Sequence, residues 1–244
     1  MTIEIVEIMG RSEQGITKPF ICRGDDDRVY FVKGRGAGRR SLICEWIAGQ
    51  LGQRLGLPIA PFDIVEVPPE LLAIAMRDDP AELGTGKAFG SRKASVVELS
   101  VSHIDSVPEA TQRDVLAFDW WVRNGDRSLG EVGGNPNLFW DVENEGLVVI
   151  DHNQAFDPAF SRQDFAELHA FRGECQVLFG DWAVQQCYVE RFLGALSDWE
   201  AICNTVPSEW WFVDAEQTVP TDFDIETTYQ LLMQCQTDGF WSLS

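Results

Sequence analysis

Residues 2–8 set Ile3 and Ile5 among Glu4 and Glu7, a near-alternation that predicts a strand. A polar segment, Gly10 to Pro19, separates it from a second strand, Phe20 to Arg23. The turn Gly24-Asp25-Asp26-Asp27 leads to a third, Val29 to Lys33. The pattern then changes period. Ile43, Ile47, Leu51 and Leu55 recur every fourth residue beside Leu42 and Trp46, which predicts a helix over 42–55 with one apolar face, closed by Gly56 and Pro58. Phe62 to Val67 predicts a fourth strand. Residues 68–90 are less regular, with a short helix over 71–76, and 94–99 is either a strand or an extended connector, so a lobe boundary is expected at 92–102. Beyond it, Val115, Phe118, Trp121 and Val122 predict a helix over 108–123. Leu138-Phe139-Trp140 and Leu147 to Ile150 predict a hairpin. Helices are expected at 162–171, roughly 181–204 and 222–236, their aromatic and Leu positions being core.

A chain of 244 residues with 45% hydrophobic content has the length and composition for a sizeable core. Its net charge of −20 disfavours sequence-independent binding to nucleic acid or to an anionic membrane. An acidic chain that handles phosphates needs a local cluster of Lys, Arg or metal. The six Cys form no C-x-x-C pair and no Cys/His ligand spacing, and read as reduced core thiols. No segment approaches the roughly 18 apolar residues of a membrane span, and the start has no basic leader. A soluble, cytoplasmic protein is expected.

Candidate chemistry gathers in Asn124 to Asp151. Asp126-Arg127 follows an apolar helix, a Gly-rich segment leads to Asn135 and Asn137, and the hairpin ends on Asp151. Two carboxylates and an amide on short loops at strand ends can hold a divalent cation and position a hydroxyl, which is the equipment of phosphoryl transfer. In the N-terminal part, Lys33 ends a strand apolar on both faces. It is either a rim lysine or a buried one that needs an anion. Glu45 borders the apolar face of the next helix, where it can meet Lys33 or remain an ordinary solvated helix residue. The segment Gly10 to Pro19 can wrap phosphates with backbone N–H groups, or can be a plain surface hairpin.

The order of these features is that of the protein-kinase fold. Instead of the HRD and DFG triplets stand Asn124-Gly125-Asp126-Arg127 and Asp151-His152-Asn153. With Asn135-Pro136-Asn137-Leu138-Phe139-Trp140 and Val149-Ile150-Asp151-His152, the chain resembles the HipA-like kinases, most closely their small single-domain group. Gly15-Ile16-Thr17-Lys18-Pro19, Tyr30 to Lys33, Leu42 to Glu45 and Leu55 to Pro58 also match, so the resemblance runs from about residue 10 to residue 155. The phosphatidylinositol kinases share a similar arrangement.

The resemblance implies an α+β, two-lobed protein-kinase-like fold. Residues 1–100 would form an antiparallel N-lobe sheet with one main helix, and residues 101–244 a mostly helical C-lobe. It implies ATP and Mg²⁺ as cofactors. Lys33 would hold the ATP phosphates and Glu45 would fix Lys33. Gly15, Thr17 and Lys18 would cover the phosphates. Asp126 would orient the acceptor hydroxyl and accept its proton. Asp151 would chelate the metal, with Asn137 the first choice of amide partner and Asn135 the second. Position 131, where kinases place that Asn, is Glu131, and Ser128 to Gly134 reads as a four-residue loop insertion. The acceptor is a protein Ser/Thr or a small molecule. The alternatives are a pseudokinase acting as a nucleotide sensor or interaction module, a lipid kinase, or an AMP transferase on the same fold. The larger HipA proteins pair with a DNA-binding antitoxin, but this chain matches only their kinase domain, so a toxin role does not follow.

Overall fold

The structure, a computed structural model, describes residues 2–12, 18–74, 80–130 and 133–243. The chain divides into two compact units. The first comprises Met1–Trp46, Ala60–Ala94 and Val206–Asp222. The second comprises Ile47–Ile59, Ser95–Thr205 and Phe223–Ser244.

The first unit is built on a closed barrel. In chain order its elements are β1 (Ile3–Arg11), β2 (Phe20–Gly24), β3 (Val29–Lys33), the start of helix α1 (Arg39–Arg54), β4 (Phe62–Val67), α2 (Pro69–Ile74), α3 (Pro80–Leu83) and β5 (Gly86–Arg92). Around the barrel the strands run β1-β2-β3-β5-β4. The sheet is not wholly antiparallel as expected: β1 closes on β4 in parallel, pairing Ile3 with Val65 and Glu4 with Glu66. Alternation explains the interior. Tyr30 and Val32 point inward with Ile5, Phe20, Cys22, Val65 and Val67, while Lys33 lies on the other face of β3. Register shifts in β1 between Ile5 and Glu7 and between Ile8 and Gly10 bend it round the closure.

Strand β5 is one that composition hides. Gly86-Lys87-Ala88-Phe89-Gly90-Ser91-Arg92 has little strand propensity, yet it is paired along both edges, by β3 and β4. A side chain at Gly90 would strike Val65, so the glycine admits close packing under β5. Residues 206–222 return to this unit. Trp210 is fully buried and donates its indole N–H to the Lys87 carbonyl at 2.9 Å, while Glu209 accepts from the Lys87 N–H at 2.8 Å.

The second unit holds a three-stranded sheet, β10 (Gly146–Val149), β9 (Leu138–Asp141) and β6 (Val96–Glu98), in that order. Of the two alternatives for 94–99, strand or connector, the strand forms over three residues, which pair with β9. A second hairpin, β7 (Ser128–Gly130) with β8 (Gly133–Asn135), occupies the stretch read as an inserted loop. Helix α4 (Glu109–Trp121) is the core element. Trp121 stacks on Phe192 with centroids 4.3 Å apart, and Trp120 sits among Phe160, Phe165, Phe179 and Phe240. Both indole N–H groups are satisfied: that of Trp120 donates to the Phe240 carbonyl and that of Trp121 to the Leu232 carbonyl.

Helices α5 (Arg162–Leu168), α6 (Cys175–Gly180), α7 (Trp182–Leu196), α8 (Trp199–Asn204) and α9 (Ile225–Met233) complete it. Three expected helices are shorter, the one over 222–236 being α-helical over Ile225–Met233. The one over 162–171 stops at His169, whose extended ψ of 140° turns its ring inward. The one over 181–204 breaks at Ser197-Asp198, where the Asp198 carboxylate accepts from Arg54 at 3.0 Å.

All six cysteines are free. Four are buried, Cys175 is half-buried, and Cys187 is exposed rather than in the core. No described helix is long and apolar enough to cross a membrane.

A Cβ at Gly34 would run into the Leu83 carbonyl, whereas one at Gly10 would meet nothing within 4 Å. Urea denaturation should therefore show Gly34→Ala lowering stability by about 1–3 kcal/mol, and Gly10→Ala changing it by no more than about 0.5 kcal/mol.

Candidate active site

In the first unit Lys33 and Glu45 form a direct ion pair, Nζ to Oε2 2.7 Å, with side chains only 10% and 3% exposed. Strand β3 brings the lysine and helix α1 the carboxylate. Of the two readings of Lys33, the buried lysine with an anionic partner holds. Lys18 is exposed at φ +39° and its carbonyl accepts from Arg11 Nε at 2.8 Å. The Ser12 N–H reaches the Pro19 carbonyl at 2.9 Å. These bonds draw together the two ends of the segment between β1 and β2. Gly15 and Thr17 lie outside the described residues.

In the second unit the end of α4 delivers the loop acid. Arg123 turns left-handed at φ +52°, and the Asn124 N–H returns to the Asp119 carbonyl at 2.8 Å. Asp126 follows, half-buried. Asn135 and Asn137 both donate their side-chain amides to its Oδ2, at 3.1 and 3.2 Å. Burial first, and then the charge of the Asp151 carboxylate, push the Asp126 carboxyl above its usual range. Asp126, Asn135, Asn137 and Asp151 are therefore one group of neighbours. Lys33 and Glu45 form a separate pair.

Asn137 and Asp151 stand at φ +50° and +58°, in the left-handed region. Asn and Asp are the non-glycine residues that tolerate it best. The chain leaves Asp151 for His152, buried edge-on to Phe118 at 5.7 Å, and its Phe156 N–H reaches the Val122 carbonyl at 2.6 Å.

One buried guanidinium holds these loops together. Arg127 is completely buried, and its Nη1 donates to the carbonyls of Pro136, Asn137 and Ile150 at 3.2, 3.0 and 3.1 Å. Its Nε donates to Asp119 Oδ2 at 2.6 Å. Asp119, also fully buried on α4, accepts further from Asn124 at 2.9 Å and from His169 Nε2 at 3.1 Å. The Phe171 N–H donates to His169 Nδ1 at 3.0 Å, so the imidazole is neutral with its proton on Nε2. Burial alone would raise the Asp119 carboxyl. Arg127 and His169 more than reverse this and hold it well below the ordinary carboxylate range.

Sequence reasoning missed Asp119 and His169. Asp119 had a signal: a carboxylate set inside the apolar run Val115 to Val122, ahead of an arginine that needs a partner. His169 had none, because its role depends on where α5 stops.

Among the described residues, no three His, Cys, Asp or Glu side chains cluster as a metal site. What surrounds Asp126 is a set of hard oxygen donors. Asn135 and Asn137 turn their amide nitrogens to Asp126, which leaves each amide oxygen for another partner, and Asp151 adds a carboxylate. Such a donor set suits Mg²⁺ rather than a soft metal.

A family model described as HipA-like kinase matches residues 5–244. No curated protein matches the chain. Among solved structures, a proinflammatory kinase of Helicobacter pylori, CtkA, aligns at TM-score 0.43 and 10% identity, covering 98% of this chain and 95% of that one. The open conformation of CtTel1 aligns at TM-score 0.35 and 12% identity, covering 93% of this chain and 11% of that one. At these scores neither likeness bears on function.

Burial lowers the His169 pKa from its ordinary 6.5, and Asp119 lies below its ordinary 3.8. Both groups favour the deprotonated form in the folded state. Their stability is therefore full at neutral pH and is lost as pH falls, for His169 from about 6.5 downward and for Asp119 only below about 4. Urea titrations across that range should show the first loss shrink in His169→Gln. Asp119→Ala strands the Arg127 charge and should cost about 3–5 kcal/mol at neutral pH.

Proposed function

The chain belongs to the HipA-like kinase family, and we propose that it transfers the γ-phosphate of ATP to a hydroxyl, with a protein serine or threonine as acceptor. The observation that carries this reading is the grouping at Asp126. Two amides converge on one carboxylate at 3.1 and 3.2 Å, and a second carboxylate stands close enough to raise its pKa.

In this reading the amides of Asn135 and Asn137 hold Asp126 in one orientation. Its carboxylate would accept a hydrogen bond from the acceptor hydroxyl and take its proton as the oxygen attacks phosphorus. Burial and Asp151 raise its basicity toward that task. Lys33, fixed by Glu45 at 2.7 Å, would hold the ATP phosphates as a positioned charge. Gly15, Thr17 and Lys18 would cover them. Asp151 with the amide oxygens of Asn137 and Asn135 would hold Mg²⁺, which when bound would neutralise phosphate charge. The free thiols suit a reducing compartment, and the cytoplasm is the proposed location.

Incubation with Mg²⁺ and either γ-labelled or α-labelled ATP tests the reading. Label should come from the γ position, and Asp126→Ala should lower transfer by about 10²–10⁴-fold, with Asp151→Ala also inactive. Label from the α position would instead mean AMP transfer. No label, together with no ATP-induced rise in melting temperature, would leave only an interaction module.

A further inference from the structure

The stretch Ser128 to Gly134 has no place in the mechanism above, yet its described residues pair as strands β7 and β8 between Asp126 and Asn137. We propose that the open edge of β8 is a docking strand for the acceptor. A basic, extended polypeptide segment would add there as a further strand and present its serine or threonine hydroxyl to Asp126. The proposal rests on the phosphotransferase reading and names how its substrate is held.

The two edges of the hairpin differ. The β7 edge is occupied: Ser128 bridges to His169, the Ala170 N–H donates to the Arg127 carbonyl at 3.0 Å, and Arg172 Nη1 donates to the Leu129 carbonyl at 2.8 Å. The Leu129 carbonyl therefore faces away from β8. In an antiparallel ladder, pairs that exchange backbone bonds alternate with pairs that do not. Leu129 and Gly134 are partners in register, so theirs is a non-exchanging pair. Gly134 consequently aims its N–H and C=O at the outer side of β8. Among the described residues no strand pairs there, and Gly133 and Gly134 are exposed.

Native edges are usually guarded by charged side chains, by proline or by a covering element. Here Gly133 and Gly134 carry no such guard. Position 134 cannot carry a guard, because a Cβ would run into the Ser128 carbonyl. The edge also ends at the chemistry. Asn135, the last residue of β8, donates to Asp126 at 3.1 Å. A strand added at the usual spacing of about 4.8 Å would run alongside Asn135, whose amide reaches that carboxylate. Main-chain pairing supplies binding with little demand on side chains, and the net charge of −20 favours a basic segment.

The test offers the full chain peptides with one central serine among lysines and arginines, together with Mg²⁺ and γ-labelled ATP. A proline is moved through the flanking positions. Among the described residues of β8, Gly134 is the one that faces outward, so proline should cut phosphorylation about tenfold or more at the peptide position whose N–H meets the Gly134 carbonyl and be tolerated at its two neighbours. Proline tolerated everywhere, or blocking a continuous run, overturns strand docking. Hydrogen exchange at the Gly134 amide gives a readout independent of transfer and should slow when peptide is added. Protection without phosphorylation keeps the docking strand and overturns the transferase reading. Phosphorylation without protection does the reverse. If neither occurs, the docking strand is overturned, and ATP hydrolysis compared with Asp126→Ala then decides the transferase reading separately.

Discussion

The contact on which the second unit depends is the buried pairing of Arg127 with Asp119. A guanidinium is a rigid planar fork that can engage several acceptors at once. Here it spends one edge on a carboxylate from helix α4 and the remaining nitrogen on three carbonyls from two loops. Those carbonyls belong to Asn137 and to the residues just before Asn137 and Asp151. Asp126 is the immediate chain neighbour of Arg127. One side chain thus sets the relative positions of the groups that the proposed chemistry needs, without touching a substrate itself. A lysine could carry the charge but not this geometry.

That clamp also explains how unfavourable backbone is maintained. Arg123, Asn137, Asp151 and Phe156 all occupy the left-handed region, at φ of 50–61°. Each such residue costs on the order of 1–2 kcal/mol. Two are Asn or Asp, which bear the conformation comparatively well. Arg123 and Phe156 do not have that excuse, and they are held by the turn after α4 and by the bond from Phe156 to the Val122 carbonyl. Strain of this kind persists where surrounding contacts over-determine the chain, and it gathers where side chains must be aimed.

What the sequence made legible follows from locality. Alternation in β1 and β3, the helical period of α1 and α4, and the hairpin β9–β10 all lie within single segments, where side-chain period reports the face directly. The order of Lys33, Glu45, Asp126, Asn137 and Asp151 was readable for the same reason. The features that escaped depend on distant partners. Strand β5 is Gly- and Lys-containing and owes its form to neighbours on both edges. The hairpin β7–β8 looks like a loop because glycine carries no period. His169 became part of the buried network only because α5 ends one residue before it.

The return of residues 206–222 bears on how this chain is made. The indole of Trp210 grips the Lys87 carbonyl across 123 residues of sequence. The first unit therefore cannot be completed until residues 95–205 of the second have been translated. Contacts of such long separation slow folding, because loop closure must precede their reward. The N-terminal barrel would wait, with part of β5 uncovered, until most of the chain has emerged. Neither unit is contiguous along the chain: the first takes in residues 206–222 and the second residues 223–244, so a barrel begun at residue 3 still waits for a segment made some two hundred residues later.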